Sequence, residues 1–433
     1  MKNKKISRRA TATCSTCNAI KRVLGSVLCA ALIVCQTVPV LATDEYGDPI
    51  VTATPVPEEI YHTDYYTQPA DTDSIEGWVQ GPQIEGESAV LMDMITGSIL
   101  YSKNADKAQY PASITKIMTA LLGSENLKAT DKFTMSETAA HGITDTQSSS
   151  IYADTGEEFT VEQALMAVML QSANEMSVAV AEEVSGSVKK FTELMNWRAK
   201  LFGCKNTHFN NPNGLPDETH YTTASDMAKI AKSAWLNPLF RRYCTRRYYE
   251  IPATNKFAEA RQLLNHHKMM KNGEYYYEGV LGGKTGYTDA SGNTLVTYCK
   301  RGNMTLVAVI LNSTSAANAY SDTASLFNYG FENFEKMDMK VSMEPVPFKV
   351  LPCDKYILKN NGNTYPFYYQ TNVYVTVPKG TKRSQLTKRQ AVLQNAAGPL
   401  RLKSKYYYQK QMVGWGMQYE RNVVSDLLLQ TSS

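Results

Sequence analysis

The chain has 433 residues, enough for two domains, and its 43% hydrophobic and 20% charged content is an ordinary globular balance. Its formal charge of +4 is concentrated at one end: residues 1–42 hold seven Lys or Arg and no acid, leaving 38 basic against 41 acidic residues elsewhere. A remainder near −3 advertises no basic face for nucleic acid, and that class of partner is set aside.

Lys2, Lys4, Lys5, Arg8, Arg9, Lys21 and Arg22 form a basic opening, and the apolar stretch Val23 to Cys35 is too short for a comfortable membrane span. Val40-Leu41-Ala42 then offers a small residue at a cut, so residues 1–42 read as a signal peptide, with an uncleaved anchor as the alternative. Removing it takes away Cys14, Cys17, Cys29 and Cys35. The mature chain keeps Cys204, Cys244, Cys299 and Cys353, which allow three pairings or free thiols. No His/Cys cluster has zinc spacing, so neither metal nor cofactor is expected. From Asp44 to about Gly81 the sequence is acidic and rich in Thr and Pro, and no Lys or Arg occurs between Arg22 and Lys103. Residues 43–85 are therefore expected to form a flexible linker.

Structure is expected from Ser88. Ala89 to Met92 and Ser98 to Tyr101 flank a turn at Asp93–Gly97, the pattern of a hairpin. Helical periodicity covers Ile114 to Leu122, Val161 to Val184 and Ala224 to Trp235. Thr294 to Lys300 and Met304 to Leu311 read as a second hairpin around Arg301-Gly302-Asn303. Strands at both ends of a helical middle predict an α/β domain, a sheet with packed helices, over 86–337. After Met337, Val373 to Val377 alternates and stops at Pro378-Lys379-Gly380, and Leu400 to Leu402, Lys405 to Tyr408 and Asn422 to Leu429 read as strands. Residues 338–433 are expected to be a small all-β second domain.

Three short motifs stand in order: S-x-x-K at Ser113–Lys116, S-x-N at Ser172–Asn174, and K-T-G at Lys284–Gly286, followed by Tyr287. Each is common alone; the ordered trio is shared by class A β-lactamases and penicillin-binding proteins. A serine hydroxyl is a poor nucleophile until a base takes its proton. Lys116, three residues beyond Ser113 at a helix start, shares its face and can be that base if it is neutral. The helix N-terminus and a second ammonium, from Lys284, would both disfavour its charge. Ser172 can relay the proton to a leaving amine, and Asn174 can hold a substrate amide. K-T-G is expected on an edge strand, where Gly286 permits close approach of substrate backbone. Thr285 and Lys284 can meet a carboxylate, while the backbone N–H groups of Tyr287 and Ser113 would form an oxyanion hole. Taken singly, Lys116 would read as an exposed helix lysine, Ser172 as a helix cap and Asn174 as a surface residue.

On these motifs the chain resembles the D-alanyl-D-alanine carboxypeptidase family, the low-molecular-weight penicillin-binding proteins. Asn206-Thr207-His208-Phe209, Asn211-Pro212-Asn213-Gly214-Leu215-Pro216-Asp217, His220-Tyr221-Thr222-Thr223-Ala224 and Asp226-Met227-Ala228 add to the likeness. It covers about residues 86–330, and more loosely the second domain through Val375 to Gly380. The resemblance implies a β-lactamase/transpeptidase-like catalytic domain and removal of the terminal D-alanine from peptidoglycan stem peptides, in cell-wall biogenesis and the upkeep of cell shape. It also implies acylation by β-lactam antibiotics, export, and peripheral association with the membrane or cell wall.

Two departures bear on substrate choice. Some members carry an arginine after the strand beyond K-T-G, held to bind the substrate carboxylate; here that stretch is Ile310-Leu311-Asn312-Ser313-Thr314. Upstream of K-T-G stands Asn265-His266-His267-Lys268, whose histidines read as structural or substrate-contacting. A β-lactamase and a non-catalytic penicillin-binding sensor remain the rival readings. Glu259 with Asn265 is a poor match for the deacylating glutamate of the first, and the intact trio speaks against the second.

Overall fold

The computed structural model describes residues 62–143, 148–342, 344, 346–349, 364–369, 371–393 and 401–420. The expected signal peptide, residues 43–61 of the expected linker, and the strand expected at Asn422 to Leu429 lie outside them.

The first lobe, expected to be the catalytic one, is built on strands β1 (Ser88–Asp93) and β2 (Ile99–Lys103), helices α1 (Lys116–Asn126), α2 (Asn174–Ser185) and α3 (Ala224–Leu236), strands β3 (Val280–Thr288), β4 (Gly292–Arg301) and β5 (Met304–Ser313), and helix α4 (Ala316–Asn333). The five strands form one antiparallel sheet in the order β2-β1-β5-β4-β3. Both hairpins of the sequence reading are present, and the K-T-G strand β3 is at the sheet edge. All six residues of β1 are buried, because the sheet is covered on both faces. Val90, Met92, Val307 and Val309 point into a cluster with Ile117 and Leu121 of α1, Val180 of α2 and Ile230 of α3. Ala89, Leu91, Leu306 and Ala308 point the other way, to Leu326 and Phe327 of α4. Each large side chain buried so completely contributes roughly 1.5–3 kcal/mol, which fixes the sheet and hence the distance between its edge and α1.

The second lobe is a seven-stranded antiparallel sheet of β6 (Phe334–Asp338), β7 (Val346–Lys349), β8 (Thr364–Tyr369), β9 (Tyr374–Pro378), β10 (Leu386–Leu393), β11 (Arg401–Tyr408) and β12 (Gln411–Glu420). Its path runs β6-β9-β12-β8-β7, and β12 also pairs β11, which pairs β10. The expected boundary at 337/338 falls inside β6. Strand pairing with β9 moves the start of this lobe back to Phe334, directly after α4.

Residues 62–85 depart from the flexible linker expected of their composition. Trp78 is buried, donates Nε1–H to Leu100 O at 2.8 Å, and sits 5.1 Å from the Phe334 ring and 5.9 Å from the Tyr408 ring. Lys103, buried beneath the strap, donates to Tyr65 O at 2.6 Å and Ile84 O at 2.9 Å. The carboxylate of Asp322 accepts the N–H groups of Glu85 and Gly86 at 3.0 and 2.8 Å. A few well-placed apolar and polar anchors thus hold a segment whose average composition is that of a loop.

Candidate active site

Pro111 and Ala112 lead into a 3-10 turn, Ala112–Thr115, that feeds α1. Ala112 is buried with φ +50°, a strained value for a residue with a side chain. Two glycines hold this bend from outside. A Cβ on Gly214 (φ +89°) would stand 1.9 Å from Ala112 O, and one on Gly286 would stand 2.8 Å from Ser113 N. Only glycine lets the Asn211–Leu215 loop and the K-T-G strand come so near the Ser113 backbone.

Lys116 is fully buried, and its Nζ lies 2.9 Å from Ser113 Oγ, 2.6 Å from Asn174 Oδ1 and 2.6 Å from Asn213 O. The last two are pure acceptors. A neutral amine would donate its two N–H bonds to them and turn its lone pair to the Ser113 hydroxyl. Burial first, and then the charge of Lys284, hold the Lys116 ammonium well below its usual range, against a pull from Glu175. Glu175 is committed elsewhere, with Oε1 accepting from Ser150 Oγ at 2.8 Å and Ile151 N at 2.6 Å.

The helix expected over Val161 to Val184 is broken at the second motif. An α-turn Val161–Met166 passes into a π-turn Ala167–Gln171, Ser172 takes φ +60°, and α2 restarts at Asn174. π-turns inside helices concentrate at functional sites. This one turns the Ser172 hydroxyl toward the cleft, where it is buried without a hydrogen-bond partner in the protein. Asn174 begins the next helix, which points its amide at Lys116.

Ser113, Ser172, Asn174, Thr285, Gly286 and Tyr287 all line one cleft of about 790 Å³. Lys284 is buried beside it, with Nζ 2.7 Å from Thr285 O, and burial brings its ammonium down to about 7. No hydrogen bond joins Lys284 to Ser113 or Ser172 among the described residues, so those groups share a cleft without touching. The Tyr287 side chain is exposed and bonds Asp289 at 2.9 Å. Of the two histidines, His267 is buried against Thr297 Oγ1 at 2.8 Å, whereas His266 lines the cleft, 3.2 Å from Gln171 Oε1. Cys204, Cys244 and Cys299 are free thiols; Cys353 lies outside the described residues.

The sequence reading quoted His220 and Asn213 without giving them a role. His220 is buried, and its Nε2 lies 2.9 Å from Thr115 Oγ1. Its Nδ1 accepts the N–H groups of Asn210 at 3.1 Å and Asn211 at 3.4 Å, which assigns the proton to Nε2. Burial lowers its pKa to about 4, so it is neutral at pH 7. Thr119 Oγ1 donates to Pro212 O at 2.6 Å, and Asn211 Oδ1 accepts from Gly214 N at 2.7 Å. These bonds fix the loop that presents Asn213 O to Lys116.

The family model described as D-alanyl-D-alanine carboxypeptidase matches residues 76–315. The Bacillus subtilis protein named D-alanyl-D-alanine carboxypeptidase DacF is 37% identical over 58% of this chain, which spans 63% of that protein's length. The Haemophilus influenzae DacA carboxypeptidase is 31% identical over 74% of this chain and 79% of its own. The crystal structure of penicillin-binding protein 5 from Haemophilus influenzae superposes with a TM-score of 0.63 at 28% identity, covering 79% of this chain and 98% of that one.

Proposed function

The chain belongs to the D-alanyl-D-alanine carboxypeptidase family, and we propose that it removes the terminal D-alanine of peptidoglycan stem peptides through an acyl-enzyme on Ser113. The observation that carries this reading is the buried Lys116 amine, 2.9 Å from Ser113 Oγ with its other two contacts taken by pure acceptors.

The Ser113 hydroxyl proton passes to Lys116 Nζ as Oγ attacks the penultimate carbonyl carbon. The N–H groups of Ser113 and Tyr287 hold the developing oxyanion; the near contact of Gly286 with Ser113 N supports that arrangement. The C–N bond breaks, and the proton travels from Lys116 by way of the Ser172 hydroxyl to the departing amine. Thr285 and Lys284 hold the terminal carboxylate, and Asn174 the substrate amide. Water then attacks the ester, giving its proton to Lys116, and Ser113 leaves with one.

β-Lactams enter the same path. D-alanine diffuses away after acylation, whereas the opened lactam stays tethered and obstructs the water. The only carboxylate lining the cleft among the described residues is Asp289, already bonded to Tyr287; this argues for slow deacylation rather than a β-lactamase. On one preparation, a D-alanyl-D-alanine peptide should turn over repeatedly. Benzylpenicillin should leave a single persistent adduct on the Ser113 peptide, absent in Ser113→Ala. Rapid multiple turnover of benzylpenicillin would favour the β-lactamase reading, and no D-alanine release from any stem peptide would favour the sensor.

We also read the enzyme as exported to the cell-wall side of the membrane, on the basic and apolar stretches of residues 2–35. Among the described residues no helix is long and apolar enough to cross a membrane. Finding the mature N-terminus downstream of Ala42 in an extracytoplasmic fraction tests this.

A further inference from the structure

The second lobe carries a cationic surface that acyl transfer does not use. On β11, Leu402, Ser404, Tyr406 and Tyr408 are buried, which leaves Arg401, Lys403, Lys405 and Tyr407 on the opposite face. Across the sheet, Lys405 stands opposite Arg389 and Trp415, Lys403 opposite Ala391 and Met417, and Arg401 opposite Leu393 and Tyr419. No acid occupies any of these positions. Among the described residues none of Arg389, Arg401, Lys403 or Lys405 has an ion-pair partner.

The catalytic lobe adds to the cluster. For Lys232 of α3, burial lowers the ammonium most, the nearby Asp93 carboxylate pulls the other way, and Lys403 adds a smaller like-charge effect. Lys403 is in turn lowered by burial and by Lys405. The Nε of Arg401 is buried without a hydrogen-bond partner. Like charges lined up along a strand with no acid opposite them are relieved by an anion.

We propose that this face of the second lobe is a docking surface for a linear phosphodiester polyanion. Arg401, Lys403 and Lys405 alternate along one strand, which spaces their side chains at roughly 6.5–7 Å. That is a row of point charges, with a period that phosphates joined through a short polyol linker can match. An anionic bilayer is the competing occupant, and the single-file spacing of the cations favours the polymer over it. Bilayer binding uses exposed aromatic rings at the headgroup level. Here Trp415 alone of the two rings is exposed, at 37%, with Lys403 Nζ 4.8 Å from its centroid, and the half-buried Tyr407 ring has the Arg389 guanidinium at 5.0 Å. Each ring is engaged by a cation of the row, which it stiffens.

The proposal is independent of the chemistry at Ser113, and the test keeps the two apart. Full-length protein is titrated with synthetic poly(glycerol phosphate) and, separately, with phosphatidylglycerol vesicles, at low and at moderate salt. The polymer should bind, and binding should weaken steeply as salt rises. The double variant Lys403→Glu/Lys405→Glu should lose roughly tenfold or more in polymer affinity while its benzylpenicillin acylation rate stays unchanged. If that variant is unstable, Arg389→Gln/Lys405→Gln serves, with a smaller loss in the same direction. No polymer binding at low salt, equal binding by a folded variant, or tighter binding to vesicles than to polymer would each overturn the proposal.

Discussion

Lys103 and Lys116 are both buried, at 1% and 0% exposure, and burial lowers the pKa of both. Their surroundings differ in sign. Lys103 has Asp322, Glu85 and Glu87 nearby, all favouring its charge, and it donates to two backbone carbonyls of the strap. Lys116 has a second ammonium nearby, whose effect outweighs the opposite pull of Glu175, and a serine hydroxyl within reach. Burial alone therefore does not make a base. The charge of the neighbours decides which buried lysine is a structural cation and which can take up a proton.

The sharpest way to break this contrast is substitution at both sites. Arginine keeps its charge and cannot accept a proton. Lys116→Arg should fold, by circular dichroism, yet lose on the order of 10³-fold or more in benzylpenicillin acylation. Near-normal labelling would place the base elsewhere. Lys103→Met should do the opposite: acylation of the folded protein within a few-fold of normal, with stability down by about 1–3 kcal/mol from two orphaned carbonyls. Urea denaturation checks the second half.

Ser172→Ala tests the relay. Its hydroxyl has no partner in the protein, so stability should hold while turnover of the D-alanyl peptide falls about 10–100-fold. A comparable loss of stability would make the residue structural. His220→Leu removes the acceptor for the loop that carries Asn213. We expect about tenfold slower acylation, equivalent to one lost hydrogen bond, with a shifted pH profile and partial recovery in His220→Gln. A purely structural histidine would leave the profile unmoved.

The smallest effect is a pH slope. The Lys284 ammonium is held at about 7 in the fold, against 10.5 as the ordinary value. Between these limits the unfolded chain binds more protons, so stability rises with pH there and is lost as pH falls through about 7. One such group contributes a slope of at most about 1.4 kcal/mol per pH unit. Lys284→Met should flatten that rise in denaturation curves taken between pH 7 and 9, and an equal slope in both proteins would contradict the assignment.

The catalytic trio was legible because its chemistry demands fixed residue types at short spacing. The sheet was legible because hairpin turns and apolar alternation are local signals. Four features were not. The strap at 62–85 rests on Trp78, Ile84 and Lys103, which a compositional average cannot weigh. The break at Ser172 is invisible to a 3.6-residue period, since the π-turn adds a residue without ending the apolar run. Asn213 reaches Lys116 through a backbone carbonyl 97 residues further along the chain, a contact no side-chain motif encodes. The cationic face of β11 was hidden for a related reason: net charge sums over the chain, while strand alternation sorts charges onto one side.

The account turns on Lys116 being kept neutral by burial and by the charge of Lys284, and the pH dependence of benzylpenicillin acylation measures that directly. In the wild-type enzyme the rate should rise along a limb that reflects loss of the Lys116 proton, well below the range of an ordinary lysine. Lys284→Gln removes the nearby positive charge, so the limb should move to higher pH, whatever happens to its height through weaker carboxylate binding. A limb that stays in place after Lys284→Gln would contradict the claim that the charge beside Lys116 adds to burial in lowering its proton affinity.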